Sequence, residues 1–230
     1  MRTKKLLFLI TAWVMFAAIS VSAQKTEDRS VGTFTKISMG ISGDVYISQG
    51  ITPKISVEAD AEILGLIVTE VKNDELKIRF SQSRVKGKTP IRIWVTTAEI
   101  EGLYLSGSGN MITETAIKTD EMELKLSGSG NINVKDLSCD EVDASISGSG
   151  NIDVKGSADE LSVGISGSGN CNADEFKTEE TSVKISGSGN CKVNAIKDLS
   201  VAISGSGSVF YVGNPTIDAS VSGSGKIRQL

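Results

Sequence analysis

Four acidic pairs recur at intervals of about twenty residues: Asp120-Glu121, Asp140-Glu141, Asp159-Glu160 and Glu179-Glu180. Calcium takes several oxygen ligands, so eight carboxylates gathered on one ridge would bridge such an ion weakly and lose their mutual repulsion. The same interval also suits polar corners splayed into water. That plainer reading is the stronger, because no DxDxDG loop and no GGxGxD nonapeptide is present. Cys171 and Cys191 stand at the same interval. They are either buried thiols, which pack like small hydrophobes, or a disulfide of an oxidising compartment. Cys139 has no counterpart. The chain contains no histidine, which removes Ser-His-Asp and Cys-His nucleophile systems and the commonest transition-metal ligand. Polysaccharide lyases and hydrolases working through carboxylates, Lys or Arg survive that exclusion.

Residues repeated at one interval need a repeating element to carry them. Ser106, Ser127, Ser147, Ser166, Ser186, Ser204 and Ser222 each open an S-G-S-G phrase, spaced by 21, 20, 19, 20, 18 and 18 residues. One position before each stand Leu105, Leu126, Ile146, Ile165, Ile185, Ile203 and Val221. Three before stand Leu103, Leu124, Ala144, Val163, Val183, Val201 and Ala219, and five after stand Met111, Ile132, Ile152, Cys171, Cys191, Val209 and Ile227. Such alternation with β-branched enrichment marks half-buried strands. The period marks a solenoid, whose repeats bury their apolar faces against one another. No repeat carries an uninterrupted ten-residue stretch of helical periodicity, and paired glycines would weaken a helix by about 1 kcal/mol each. The chain is therefore read as all-β, a single-stranded parallel β-helix of about 20-residue coils with an irregular N-terminal β cap.

In that fold the paired glycines Gly107 and Gly109, Gly128 and Gly130, Gly148 and Gly150, Gly167 and Gly169, Gly187 and Gly189, Gly205 and Gly207, and Gly223 and Gly225 form the corner of every coil. Asn110, Asn131, Asn151, Asn170 and Asn190 follow the corners and would hydrogen-bond one another as a ladder. As a phosphate loop the phrase fails, since no helix follows and no lysine or threonine completes it. No cofactor is implied.

Residues 1–23 read as a secretory signal peptide: basic Arg2, Lys4 and Lys5, an apolar run from Leu6 to Ile19, and small residues up to Ala23. Their removal moves the formal net charge from -4 to -7, because the three charged residues lost are all basic. An acidic mature chain repels nucleic acid and anionic lipid, and it carries no further run long enough to span a membrane. Residues 24–33 are expected to be a flexible segment. Residues 34–100 would supply irregular first coils and the cap, and 101–230 the regular coils. A basic loop runs from Arg84 to Lys88. "ISGDVYI" at Ile41 to Ile47 echoes the phrase 64 residues before Ser106, close to three coils. Aromatic residues able to meet a sugar are Tyr46, Trp94, Tyr104, Phe210 and Tyr211, while Phe34, Phe80 and Phe176 suit core or cap. Their spacing predicts no groove of stacked rings.

The order of an F-x-x-I opening at Phe34, V-x-I-x-x-G at Val45, L-x-I at Leu76 after an acidic turn, and serial SGSGNI phrases resembles the head GIN domain family of auto-transporter adhesins. The likeness runs from about Phe34 to the end and implies a secreted or envelope β-helix of Bacteroidetes-type bacteria, with no catalytic residues to carry over. The last residues, "SGSGKIRQL", do not supply the membrane barrel of a true autotransporter. The combined expectation is an exported, non-enzymatic adhesion or binding scaffold in the periplasm, at the outer-membrane surface or secreted. Its partner would be a glycan or an envelope protein. The alternatives are a carbohydrate-active enzyme and a purely structural envelope protein.

Overall fold

A computed structural model describes residues 24–82 and 90–230. The expected signal peptide, residues 1–23, and the expected basic loop from Arg84 to Lys88 lie outside the described residues. Apart from the one-turn helix α1 (Ala61–Leu64) the elements are strands. The N-terminal part holds β1 (Gln24–Arg29), β2 (Lys36–Met39), β3 (Asp44–Gln49), β4 (Lys54–Asp60), β5 (Ile67–Lys72), β6 (Glu75–Phe80) and β7 (Arg92–Thr97). The repeats hold β8 (Gly102–Gly107), β9 (Asn110–Thr113), β10 (Ile117–Lys118), β11 (Glu121–Gly128), β12 (Asn131–Ser138) and β13 (Glu141–Gly148). Three long strands that bend at corners follow, β14 (Asn151–Gly167), β15 (Asn170–Gly187) and β16 (Asn190–Gly205), and then β17 (Ser208–Val212), β18 (Thr216–Gly223) and β19 (Lys226–Gln229).

These strands stack as the parallel β-helix that the repeats predict. One side, ending in the S-G phrase, pairs β8, β11, β13, the later parts of β14, β15 and β16, and β18, each parallel to the next. The second side, opening on asparagine, pairs β9, β12, the early parts of β14, β15 and β16, then β17 and β19. A short third side begins where β10 meets the end of β12. Alternation turns every second residue inward, so Leu126, Ile146, Ile165 and Ile185 form one buried file and Ile132, Ile152, Cys171 and Cys191 another. Each such side chain contributes about 1.5–3 kcal/mol by leaving water.

The corners need glycine for two separate reasons. Gly128 has φ +127, a region that a side chain rarely adopts, and so has the first glycine of every S-G-S-G phrase. Gly130 has no such φ, but a Cβ there would lie 2.3 Å from the Gly109 carbonyl oxygen one coil below. Backbone packed this closely leaves no space for a methyl group.

The N-terminal part departs from the sequence reading twice. β2 pairs with β8 and β3 with β9, so the coil holding Ser42 lies directly against the coil holding Ser106, not three coils away. The intervening chain builds the next coil outward, β6 on β2 and β7 on β3, and then the chain returns. Spatial order and chain order thus differ here. Antiparallel β4 on β7 and β5 on β6 end the parallel stack, with Ile63 and Leu64 of α1 buried beneath. The expected flexible segment 24–33 is corrected as well: Gln24–Arg29 pairs antiparallel with β4 along its whole length. Its side chains are almost all polar, so no apolar alternation announces the strand. Backbone pairing holds it, and the Arg29 guanidinium donates to the carbonyls of Ile67 at 2.6 Å and Leu64 at 2.9 Å. At the opposite end β18 has no further coil against it among the described residues, and its inward positions Ile217 and Val221 are 40% and 43% exposed.

Candidate binding surface

Because inward positions are committed to the core, chemistry is confined to the outward files. On the first side the file nearest the third side runs Glu121, Glu141, Glu160, Glu180 and Asp198 in direct register. The eight carboxylates singled out by spacing, Asp120, Glu121, Asp140, Glu141, Asp159, Glu160, Glu179 and Glu180, are all exposed. Among the described residues no three Asp, Glu, Cys or His groups converge to hold a metal ion. The ridge is one of solvated carboxylates, partly neutralised by neighbours such as Lys197, whose ammonium lies 2.5 Å from Glu179.

Four residues further along the strand, Tyr104 and Lys125 project outward at adjacent rungs. The Tyr104 hydroxyl donates to the Glu123 carboxylate, Lys125 pairs with the same carboxylate, and its ammonium sits 5.2 Å from the Tyr104 ring centre. Burial first, and then the hydrogen bond to Glu123, push the phenol well above its ordinary range. Burial works to raise Glu123, but the bonds from Lys125 and Tyr104 outweigh it and hold the carboxyl below its usual range. Glu123 is therefore kept ionised, the opposite of what a proton-donating acid requires.

From this triad a groove of about 530 Å³ crosses the first side. Its floor is the strand backbone at Leu105, Leu126, Ile146 and Ile165, whose side chains turn inward, between the short outward residues Ser145 and Gly164 and the serine file; Lys184 closes the far end. The groove exists because Ser145 and Gly164 interrupt a file that carries Lys125 and Lys184 on either side. Three rungs, roughly 14 Å, separate the two lysines.

The second side carries the amides. Asn131 donates to Asn110 at 2.8 Å, Asn151 to Asn131 at 2.9 Å, Asn170 to Asn151 at 2.9 Å and Asn190 to Asn170 at 3.2 Å. Asn110 continues the line to Asp44 at 2.7 Å. Beside this ladder Tyr46 and Trp94 stack, ring centres 5.6 Å apart and planes 19° from parallel. Spacing alone does not show this pair: the two residues are 48 apart in sequence and meet only because β7 folds back onto β3. Period counting from the repeats has no access to that pairing.

Cys171 and Cys191 are fully buried, in register, and carry free thiols. Hydrogen bonding to Cys171 and burial push the Cys191 thiol far up. Cys139 is half-buried and pushed up to about 12 by burial, then by Asp140 and Asp159. None of the three is an activated nucleophile.

Among the described residues no helix is long and apolar enough to cross a membrane. A search of curated proteins returned no match. Among solved structures the chain is similar to a putative adhesin from Bacteroides fragilis at 26% identity and TM-score 0.86, covering 90% of this chain and 97% of that one. It is also similar to a protein described as a putative lipid binding protein from Parabacteroides distasonis, at 27% identity and TM-score 0.75, covering 90% and 96%. A putative adhesin from Parabacteroides merdae shares the fold at 23% identity and TM-score 0.74, covering 90% and 96%. Residues 33–215 match the family described as putative auto-transporter adhesin, head GIN domain. The chain belongs to that family.

Proposed function

We propose that this protein is an exported, non-enzymatic adhesion or binding scaffold of the bacterial envelope. The observation that carries the reading is the open groove from Tyr104 to Lys184, which spreads contact over consecutive coils instead of converging on one reacting point. Recognition surfaces of this kind favour extended partners, whereas a catalytic centre needs two or three groups aimed at one atom. The ionised state of Glu123 removes it as a proton-donating acid. The solved relatives described as putative adhesins and as a putative lipid binding protein lie in the same class of role. Export rests on residues 1–23, whose cleavage after Ala23 would leave β1 intact from Gln24. The test is capture from envelope fractions on the immobilised 24–230 chain, with a parallel assay for sugar release from polysaccharides. Specific retention without released product is the expected result. Product release would move the protein to the carbohydrate-active enzymes, and no retention above a blank matrix would leave a structural role only.

A further inference from the structure

The two ends of the stack are finished differently. At the N-terminal end the antiparallel strands β1, β4 and β5 close it, with α1 packed beneath. At the other end β18 lies on β16, and among the described residues no strand pairs with its far edge. Its inward Ile217 and Val221 are 40% and 43% exposed, whereas their counterparts one coil below, Leu199 and Ile203, are 1% and 3%. A bare strand edge with apolar side chains along it is a template for another strand.

The backbone decides which strand fits. Successive residues of a strand aim their N–H and C=O at opposite neighbours. In β11 the Glu123 N–H donates back to the Glu101 carbonyl of the preceding coil, at 2.8 Å. Asp218 stands in register with Glu123 five rungs on. Asp218 and Ser220 therefore bond back to β16, and Ile217, Ala219 and Val221 aim their N–H and C=O out of the end.

These three residues form a self-complementary set. In an antiparallel pairing centred on Ala219, that residue meets its own copy and Ile217 meets Val221 of the second copy. Each such pair exchanges both backbone bonds, so all six open donors find acceptors. The apolar side chains of Ile217 and Val221 then cover each other across the junction. On the outer surface Asp218 faces Ser220 of the second copy, so no like charges meet. Moving the centre by one residue brings together groups already bonded to β16. A two-fold through Ala219 also exchanges the second and third sides, which places β19 over the third-side turn 213–215 of the other copy, clear of β18.

We propose that the β18 end is a docking surface for a second copy of this chain, joined by antiparallel β18 strands about a two-fold axis at Ala219. Head-to-tail stacking is closed off by the N-terminal cap, so the contact satisfies itself in a dimer and does not propagate. The contact is one coil across, at the low end of interface sizes, and forms at micromolar or higher concentration. Dilute samples therefore hold separate copies with a bare last coil. The dimer gives the first side one continuous outer face carrying two Tyr104–Lys184 grooves. Lys184 of one copy lies five rungs from Lys184 of the other, about 24 Å along the axis. Two grooves on one face give a bivalent grip on an extended surface. The dimer itself does not depend on the binding reading above.

The experiment follows the mass of the 24–230 chain by sedimentation equilibrium from low to high micromolar concentration. A monomer–dimer equilibrium is expected, with nothing larger. Ala219→Pro removes an N–H that no described strand accepts, so it should keep the dilute melting of the parent and abolish the dimer. Ser220→Lys faces Asp218 twice across the junction and should tighten the dimer about twofold or more, and Ser220→Glu should weaken it by a similar factor. These exposed variants read the contact even where the proline disturbs the last coil. A parent that stays monomeric throughout, or a dimer that persists in folded Ala219→Pro, overturns the proposal. Species that keep growing with concentration overturn the two-fold closure. Shifts of the same sign from Ser220→Lys and Ser220→Glu overturn the register.

Discussion

Gly164 and Gly167 lie three residues apart in the same coil, and the structure assigns them opposite responses to a methyl group. Gly164 is on the floor of the groove, and a Cβ added there meets nothing within 4 Å. Gly167 has φ +125, and a Cβ added there lies 2.5 Å from the Gly148 carbonyl oxygen. For Gly164→Ala the unfolded chain loses freedom while the native strand accepts the methyl, a gain of about 0.5–1 kcal/mol. For Gly167→Ala the backbone strain costs about 1–3 kcal/mol. Forcing apart two coils packed on each other costs about 1–3 kcal/mol more. The two variants should therefore differ by roughly 2.5–7 kcal/mol, which for a domain of this size is a gap of about 5 °C or more in melting temperature. The assay is thermal melting by far-UV circular dichroism, with urea midpoints as a second measure. The loss from Gly167→Ala should recur with Gly148→Ala and Gly187→Ala, which share the φ and the contact. Equal melting of Gly164→Ala and Gly167→Ala would refute the claim that the phrase is a steric corner and would return it to the status of a flexible spacer.

Asn151→Ala removes both the bond donated to Asn131 and the bond accepted from Asn170. It should destabilise by about 1–3 kcal/mol, more than Asn190→Ala nearer the ladder's end, as urea titration will show. Ile146→Ala, at 2% exposure, should cost about 2–5 kcal/mol, whereas Val221→Ala in the uncovered last coil should stay below about 1 kcal/mol. At pH 8 a thiol reagent should label Cys171 and Cys191 only on unfolding, and all three cysteines then; a titre of one would reveal a disulfide. Cys139 gives a pH signature. Its folded value is raised to about 12 from 9.0, so the fold favours the neutral thiol. That contribution is complete below about pH 9 and is lost as pH rises towards 12. Stability of the parent should fall more steeply over this range than that of Cys139→Ser, and parallel curves would discount the shift.

The regular coils were legible because a solenoid writes its register into its period. Leu126, Ile146 and Ile165 share a column in sequence for the same reason that they share a file in space, since each coil adds one rung and nothing intervenes. The amide ladder follows from the same count. What the count misses lies where chain order and stacking order part. β6 and β7 come after β2 and β3 in sequence but stack outside them, so the 64 residues from Ser42 to Ser106 span one rung. The strand Gln24–Arg29 is held by backbone bonds and one arginine, neither of which leaves an apolar pattern. The groove was missed for a different reason: it is made by Ser145 and Gly164, residues too small to attract notice.

This division bears on where function resides in such a chain. Inward residues cannot vary without opening a cavity or forcing the coils apart, and the corner glycines cannot vary at all without strain. Outward residues touch only the rungs above and below, so a change there costs little stability. A binding site on a β-helix is therefore read as an interruption of an outward file, and two interruptions stand out here. One replaces long side chains by Ser145 and Gly164 between Lys125 and Lys184; the other replaces polar residues by Ile112, Tyr46 and Trp94. The second lies where the chain doubles back, so its rings come from segments that no repeat copies. Residues brought together in that way can change without altering any coil of the repeat, which is the physical advantage of pairing a regular stack with an irregular cap.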